Sequence, residues 1–592
     1  MMKFNEVANY FDLIEKESSR TKMTQLLAEL FGKATPHEAS IIAYLALGSL
    51  NPPYIGTQFN FAEKSLIKAI AQLLDKAPST VQEHLNKLGD LGLIVEGGHW
   101  KGGSEILTVL DIQKALEHFL TISGIGSQEV REQAMLKLLR TTTPVAAKFI
   151  VRIVAGQLRL GFSDMTLLDA FSWMEKGDKS IREELEDAYN ISADIGMLIK
   201  TLKQGGVSAI KKICITPGIP IRPSAAERMP DAESIIKKLH DCVAQPKLDG
   251  FRLQVHLDNT HRPHLVRFFS RNLQDMSHMF PDLTKALADV DVKTVVFEGE
   301  AICVDVETGS FLPFQETVKR KRKYDIEKVM QDFPLKLYVF DVLYLNGESL
   351  LDKPHHARRK ILLDLCDDPV IKKHLTLFPI EEKKIHTAAE LNDYFEQNIT
   401  LGLEGLVVKR VDAAYQPGKR NFNWIKLKRQ ESGSLEDTID CVILGYYYGQ
   451  GKRASFGIGA LLVGAYNKKK DCFQTVAKVG TGLTDVEWKE VKKSCDHLHR
   501  VDQPHDVECK KELFPDVWVQ PKLVCMIRAD EITRSPMHSA GATEKQLGLA
   551  LRFPRFMGYR PDKSIYEATT IDELERLFEL QYEKSAKTRK KA

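Results

Sequence analysis

The chain has 592 residues, 43% of them hydrophobic and 28% charged, with a formal net charge of +3. That length exceeds one ordinary core and calls for roughly two to four domains, and the composition excludes a disordered or fibrous protein. The near-neutral balance neither demands nor excludes nucleic acid, because local basic patches bind phosphate while acids elsewhere cancel the total.

Residues 1 to about 215 read as helical. Runs such as REQAMLKLLR (131–140) carry apolar residues at three- and four-residue intervals, a spacing that recurs in SIIKKLHDC (234–242). Gly-rich breaks punctuate the helices at Gly124-Ile125-Gly126-Ser127 and from Gly156 to Gly161. Such breaks leave backbone N–H groups at helix starts where a phosphate can sit, or serve as plain helix–turn punctuation. The stretch from Ser79 to Ile94, ending in Gly97-Gly98-His99-Trp100, resembles a winged helix with its hairpin. A further segment of the helical domain explains it equally well.

From about 216 the texture changes, with Pro217, Gly218, Pro220 and Pro223 marking the entry. LQVHL (253–257), TVVFEGEAICV (294–304) and LKLYVFDVLYL (335–345) are rich in β-branched and aromatic residues and predict strands, with helix around 386–397. This is a mixed α/β domain. A polar linker, Glu431-Ser432-Gly433-Ser434, precedes short strands at 440–449, 460–467 and 473–480 that predict a small β-barrel. A helix from Ile571 to Tyr582 and a basic, solvated tail from Lys584 to Lys591 close the chain. No apolar run approaches ~18 residues, so no membrane span is expected, and MMKFNEVANYF lacks a secretion-signal pattern. The nine cysteines are odd in number, scattered, and never Cys-x-x-Cys. That predicts a reducing, cytoplasmic setting with neither a structural zinc nor a disulfide framework.

The stretch that points to chemistry is Pro246-Lys247-Leu248-Asp249-Gly250-Phe251-Arg252. A lysine nucleophile must be neutral although its ordinary pKa is ~10.4; nearby cations such as Arg252, or a metal, favour the free amine. Gly250 would let the backbone approach a phosphate, and Asp249 could position the lysine or help hold a metal. Alone, such a tetrad also occurs as an exposed turn.

An ordered series accompanies it. Ser270-Arg271-Asn272, Phe297-Glu298-Gly299-Glu300 and Val339-Phe340-Asp341-Val342-Leu343-Tyr344 follow Lys247-x-Asp249-Gly250-x-Arg252. Next come Glu404-Gly405-Leu406-Val407-Val408-Lys409, Trp424-Ile425-Lys426-Leu427-Lys428, Arg552-Phe553-Pro554-Arg555-Phe556 and Arg560-Pro561-Asp562-Lys563. The set resembles the ATP-dependent DNA ligases of the covalent nucleotidyltransferase superfamily, archaeal/eukaryotic replicative type, over nearly the whole chain. The resemblance implies a multidomain fold: an all-α DNA-binding domain (1–215), an α/β (α+β) nucleotidyltransferase domain (216–430) and a C-terminal β-barrel OB-fold (431–592).

It implies sealing of nicks in duplex DNA with ATP, through a lysine–AMP intermediate on Lys247. Arg252, Arg271, Arg420, Lys426 and Lys428 would face the phosphates, the last two sharing one strand face. Phe340 would stack on adenine, Glu300 would lie toward the ribose, and Glu300 and Glu404 would serve Mg2+. Arg552, Arg555, Asp562 and Lys563 would orient the pyrophosphate. Gln245 stands where most close relatives have glutamate, adding a donor to a position that otherwise only accepts. RNA ligases and capping guanylyltransferases share the lysine chemistry; the long helical domain and Arg552-Phe553-Pro554-Arg555 argue against both. NAD as AMP donor is disfavoured, because NAD-type ligases carry a four-cysteine zinc site. The expected partner is nicked duplex DNA bound by a monomer. No sliding-clamp docking motif of the Gln-x-x-aliphatic-x-x-aromatic-aromatic kind is visible.

Overall fold

The computed structural model describes all residues except 101, 104–106, 157, 230, 289, 305–310, 313–316, 318–333, 370, 371, 373–375, 402, 429–437, 545, 591 and 592. The polar linker at 431–434 therefore lies outside the described residues. The chain parts into two compact units, residues 1–69 with 101–429, and residues 70–100 with 430–592.

Helices dominate up to Ile210, and their starts are written in the sequence. Thr35 caps Pro36–Ala46 in a capping box with Glu38, Thr108 does the same for Val109–Thr121 with Asp111, and Thr143 caps Pro144–Val154. Pro36 and Pro144 occupy first-turn positions, where a missing N–H costs nothing. Phe11 packs edge-on against Phe149 at 5.4 Å and Phe31 against Phe171 at 5.0 Å. One buried cation row is paired with acids: Lys148 Nζ reaches Asp12 at 2.7 Å and Glu15 at 3.1 Å, and Arg152 reaches Glu15 at 2.7 Å. Gly126, in the left-handed region, opens the helix Ser127–Thr141 without a side-chain cap.

Residues 78–100 form helices Pro78–Leu88 and Leu91–Glu96, and among the described residues the Gly97-Gly98 turn leads into no strand. The Trp100 indole instead donates back to the Val95 carbonyl at 2.9 Å. This stretch belongs to the same compact unit as residues 430–592.

The α/β region holds two sheets. One is five-stranded, ordered β1 (Ala225–Arg228), β11 (Arg420–Lys428), β10 (Gly405–Arg410), β2 (Cys242–Pro246), β9 (Lys383–Ile385). The other runs β4 (Leu265–Ser270), β3 (Phe251–Asp258), β5 (Thr294–Cys303), β6 (Leu335–Leu345), β7 (Glu348–Ser349), with β8 (Leu377–Pro379) parallel to β6. Helices Ala232–Leu239 and Ala388–Thr400 cover the first sheet through Ile235, Leu391, Leu406, Val408, Ile425 and Leu427. Helices Pro281–Ala288 and His355–Cys366 cover the second. The long predicted strands run to within two residues of their expected ends.

The entry segment is pinned to the second sheet by buried polar groups. Gly218 N–H donates to His256 Nδ1 at 3.1 Å, and Gln254 exchanges hydrogen bonds with Ile221 at 2.7 and 3.0 Å. Burial holds His256 down at about 3, so the ring is neutral and accepts through Nδ1.

In the second unit, Ile439–Tyr447 pairs with Ala460–Asn467 on one side. Its other side is shared by Val517–Val519 and Val524–Arg528, so the sheet curls into a half-barrel. Trp488, from helix Asp485–Asp496, plugs its core. The chain ends differently from the sequence expectation: helix Ile571–Lys590 continues through the basic stretch that reads as a solvated tail. All nine cysteines are free. Among the described residues no helix is long and apolar enough to cross a membrane.

Candidate active site

Strand alternation decides what faces the cleft. On β11, Ile425 and Leu427 point into the outer core while Trp424, Lys426 and Lys428 line a cavity of about 520 Å³. On β10, Leu406 and Val408 point outward while Val407 and Lys409 line it. On β2, Ala244 faces outward and Gln245 inward. The register sets Gln245, Val407 and Lys426 side by side across three strands. From the second sheet come Arg252, Glu300 and Phe340, and from the turn after β4, Arg271. The volume lies within the usual range for small-ligand sites.

Lys247 follows β2, and its backbone is clamped to the start of β10. Its N–H donates to the Gly405 carbonyl at 2.9 Å, and Glu404 N–H donates to its carbonyl at 3.3 Å. Gly405 has φ of +139°, and a Cβ there would lie 2.2 Å from the Leu427 carbonyl oxygen, so only glycine fits. The Lys247 ammonium pairs with Glu404, whose carboxylate also takes Lys428 Nζ at 3.0 Å. Burial would raise the Glu404 carboxyl, but Lys247 and Lys428 hold it below the usual range. Lys426 is pushed down by burial and by Arg420, Lys428, Arg271 and Lys247. Arg420 itself is exposed at the start of β11. Asp249 lines the cavity beside Lys247.

Gly250 has a reason in the fold beside the phosphate approach that its place in the motif suggests. A Cβ there would lie 2.4 Å from the Ala301 carbonyl oxygen of β5, so the glycine serves close strand approach. Its N–H donates to Glu300 Oε1 at 3.2 Å. Burial pushes Glu300 up to about 7, against the pull of Lys247 and Arg252.

Several groups at the cleft carry no assignment from sequence. Arg252 Nη2 is shared between the two Glu298 carboxylate oxygens at 2.8 and 3.1 Å, its Nη1 donates to the Ser224 carbonyl at 2.9 Å, and Tyr415 O–H donates to Glu298 at 2.9 Å. Despite burial, that carboxylate raises the Arg252 pKa. Phe340 meets Trp424 edge-on at 6.0 Å, and the Lys409 ammonium sits 4.3 Å from the Trp424 ring centre and 2.9 Å from the Phe340 carbonyl. Burial lowers Lys409 to about 8, opposed by Asp341 and Glu382. Behind it, Asp341 pairs with Arg358 at 2.8 and 3.1 Å, both side chains 1% exposed. Glu298, Asp341, Lys409 and Trp424 lie inside quoted motifs, which signalled importance without saying what they touch. Tyr415, His355 and Glu382 had no signal.

Of the three carboxylates that line the cleft, Asp249, Glu300 and Glu404, the last two fit a divalent cation, since Mg2+ commonly takes one or two carboxylates and completes its shell with phosphate and water. No cluster of three or more metal-binding side chains occurs among the described residues.

Arg552, Arg555, Asp562 and Lys563 lie in the second unit. Arg552 faces Glu531 at 3.5 Å, and Arg555 opens the strand Arg555–Tyr559 with its side chain exposed. Lys563 Nζ reaches Asp440 at 2.6 Å, and Asp562 pairs with Arg560 at 2.8 Å.

Residues 3–172, 223–428 and 454–563 match, in turn, the families described as DNA ligase N terminus, ATP dependent DNA ligase domain and ATP dependent DNA ligase C terminal region. A Dictyoglomus turgidum protein named "Probable DNA ligase" is 44% identical over 98% of this chain and 97% of its own length. The Thermofilum pendens "DNA ligase 2" is 36% identical over 98% and 97%. The solved structure Pmar-Lig_PreS3 covers 94% of this chain and 99% of its own at a TM-score of 0.56; at 16% identity it shows the fold alone. With a lysine-centred, cation-rimmed cleft inside the matched middle segment and relatives aligned end to end, the chain belongs to the ATP-dependent DNA ligase family.

Proposed function

We propose that this chain seals nicks in duplex DNA in three steps, with Lys247 as the nucleophile. The Lys247 amine attacks the α-phosphorus of ATP, forming a P–N bond as the bond to pyrophosphate breaks. A 5′-phosphate oxygen at the nick then takes the AMP and releases the lysine. The 3′-hydroxyl attacks that activated phosphate and AMP leaves. The observation that carries this is the position of Lys247 in the cavity, held by Glu404 and neighboured by Lys426, Lys428 and Arg271. Negative charge gathers on phosphate oxygens in each step, and fixed cations converging there stabilise it.

Within that reading Arg252 and Arg420 supply further positive charge, Asp249 orients Lys247, Phe340 packs on the base, and Glu300 faces the ribose. Glu404, with Glu300, would hold Mg2+, which offsets phosphate charge when bound. Residues 1–215 grip the duplex, 216–430 carry adenylation, and 431–592 form an OB-fold barrel. There Arg552, Arg555, Asp562 and Lys563 meet the leaving pyrophosphate. The protein works as a monomer in a reducing cytoplasm.

The test pairs two assays. Lys247→Ala should abolish the covalent adduct from labelled ATP while duplex binding, which depends on many phosphate contacts, persists. Nicked DNA should be sealed far faster than nicked RNA; the reverse preference would sink the DNA assignment.

A further inference from the structure

Gln245 lies beside the apolar part of the cleft formed by Leu248, Phe340, Ile380 and Val407. An amide there is ambiguous: turned one way it offers a carbonyl acceptor, turned the other an N–H₂ donor. The protein removes that freedom. Gln245 Nε2 donates to Glu382 Oε2 at 2.6 Å, and among the described residues Gln245 Oε1 accepts no hydrogen bond.

Glu382 can enforce this because it only accepts. The same Oε2 takes His355 Nε2–H at 2.8 Å, and Arg359 Nε lies 3.8 Å from Oε1. Burial would raise the Glu382 carboxyl, but His355, Lys409 and Arg359 keep it below its usual range and ionised. His355 Nδ1 is buried and has no partner among the described residues, so its one ring proton sits on Nε2, facing Glu382. Flipping the Gln245 amide would set its carbonyl against the carboxylate.

We propose that Glu382, backed by His355, locks the Gln245 carbonyl toward the base and thereby selects a 6-amino over a 6-oxo purine nucleotide. Gln245 then acts as an acceptor-only group, in place of a carboxylate. The exocyclic amine of adenine satisfies it, whereas a 6-oxo group meets it acceptor to acceptor. Glu382 and His355 are positioning residues, acting through Gln245. The inference rests on the cleft being the ATP site.

The experiment measures adduct formation on the full chain from ATP and from inosine triphosphate, which carries oxygen at position 6. The unaltered chain should favour ATP by about 100-fold in kcat/KM, as expected of a site with one unpaired buried group in the wrong complex. Glu382→Leu frees the amide and should narrow that ratio to within about tenfold. Gln245→Glu alone sets two carboxylates together and should cut ATP use by about 100-fold. The exchange Gln245→Glu with Glu382→Gln restores a donor facing an acceptor. It should recover ATP use to within about tenfold of the unaltered chain while still excluding inosine triphosphate. A merely structural role would lower both nucleotides in proportion. An unchanged ratio in Glu382→Leu, or an exchange no better than Gln245→Glu, would overturn the lock; should Glu382→Leu fail to fold, the exchange decides. Absence of any adduct from ATP on the unaltered chain would instead overturn the ATP-site reading.

Discussion

The cleft around Lys247 and the cluster around Asp440 in the second unit both concentrate charge, and they treat it oppositely. At Asp440 every group is answered: Arg560 spans Asp440 at 3.2 Å and Asp562 at 2.8 Å, and Lys563 reaches Asp440 at 2.6 Å. Arg560 holds the Asp562 carboxyl down at about 2, with solvent close by. In the cleft, like charges converge and burial works against them. Lys426 is lowered among four other cations, Lys409 sits at about 8, and Glu300 is pushed up to about 7. Charges arranged at a cost to themselves mark a place prepared for a ligand that supplies what is lacking. The Asp440 cluster satisfies itself, so Asp562 and Lys563 must leave present partners to serve any other role.

The largest effect expected from this contrast is at Lys428. Removing a cation aimed at transition-state charge costs roughly 10²–10³ in rate. Lys428→Ala should lose about that much in adduct formation, with Lys426→Ala close behind. Single-turnover adduct assays check this; losses under threefold for both would mean that the cleft cations are ordinary surface charge.

Next comes the motif in the second unit. Arg555→Ala or Asp562→Ala should slow lysine adenylation by about 10²-fold, yet spare sealing of a nick whose 5′-phosphate already carries AMP, since that step releases no pyrophosphate. Equal loss in both assays would assign these residues to the fold or to DNA grip. Asp562 and Arg560 are paired in this structure, so Arg560→Ala sharpens the comparison. It should resemble Asp562→Ala if the pair moves as a unit.

The smallest effect is on stability and carries a sign. Glu300 has its carboxyl raised to about 7, so the folded state binds a proton that the unfolded chain releases nearer ~4.3. Its favourable contribution is present below the unfolded value and is lost as pH rises through about 7. Glu300→Gln keeps an acceptor for Gly250 N–H and removes that loss. It should raise stability by roughly 1–3 kcal/mol at pH 8 and hardly at all at pH 4. Thermal unfolding of both proteins at the two pH values decides, and a gain at pH 4 equal to that at pH 8 would contradict the raised carboxyl.

Much of the cleft was legible because strand alternation is local. Lys426 and Lys428 share a face by period, and Lys247, Gly250 and Arg252 lie within six residues. The helix caps at Thr35, Thr108 and Thr143 are equally local. What escaped depends on contacts distant in sequence. Gln245 and Glu382 are 137 residues apart, and nothing near Glu382 or His355 announces the lock. Arg252 reads as a phosphate ligand by its motif, yet its guanidinium is engaged by Glu298 of a neighbouring strand and by Ser224 just before β1. Gly250 illustrates the same limit: the motif asks for glycine, but the contact with the Ala301 carbonyl of a neighbouring strand shows only in the fold. The stretch 78–100 supports two readings in sequence because Gly97-Gly98 suits a helix end as well as a hairpin; in the structure the Trp100 indole folds back on Val95.

Lys247, and no other lysine, is expected to carry the AMP. The direct measurement is peptide mapping by mass spectrometry after incubation of the full chain with ATP and Mg2+, without DNA. One AMP adduct is expected, on the peptide bearing Lys247, and it should disappear when nicked DNA is added after ATP has been removed. An adduct on Lys409, Lys426 or Lys428, or one that nicked DNA fails to discharge, would contradict it.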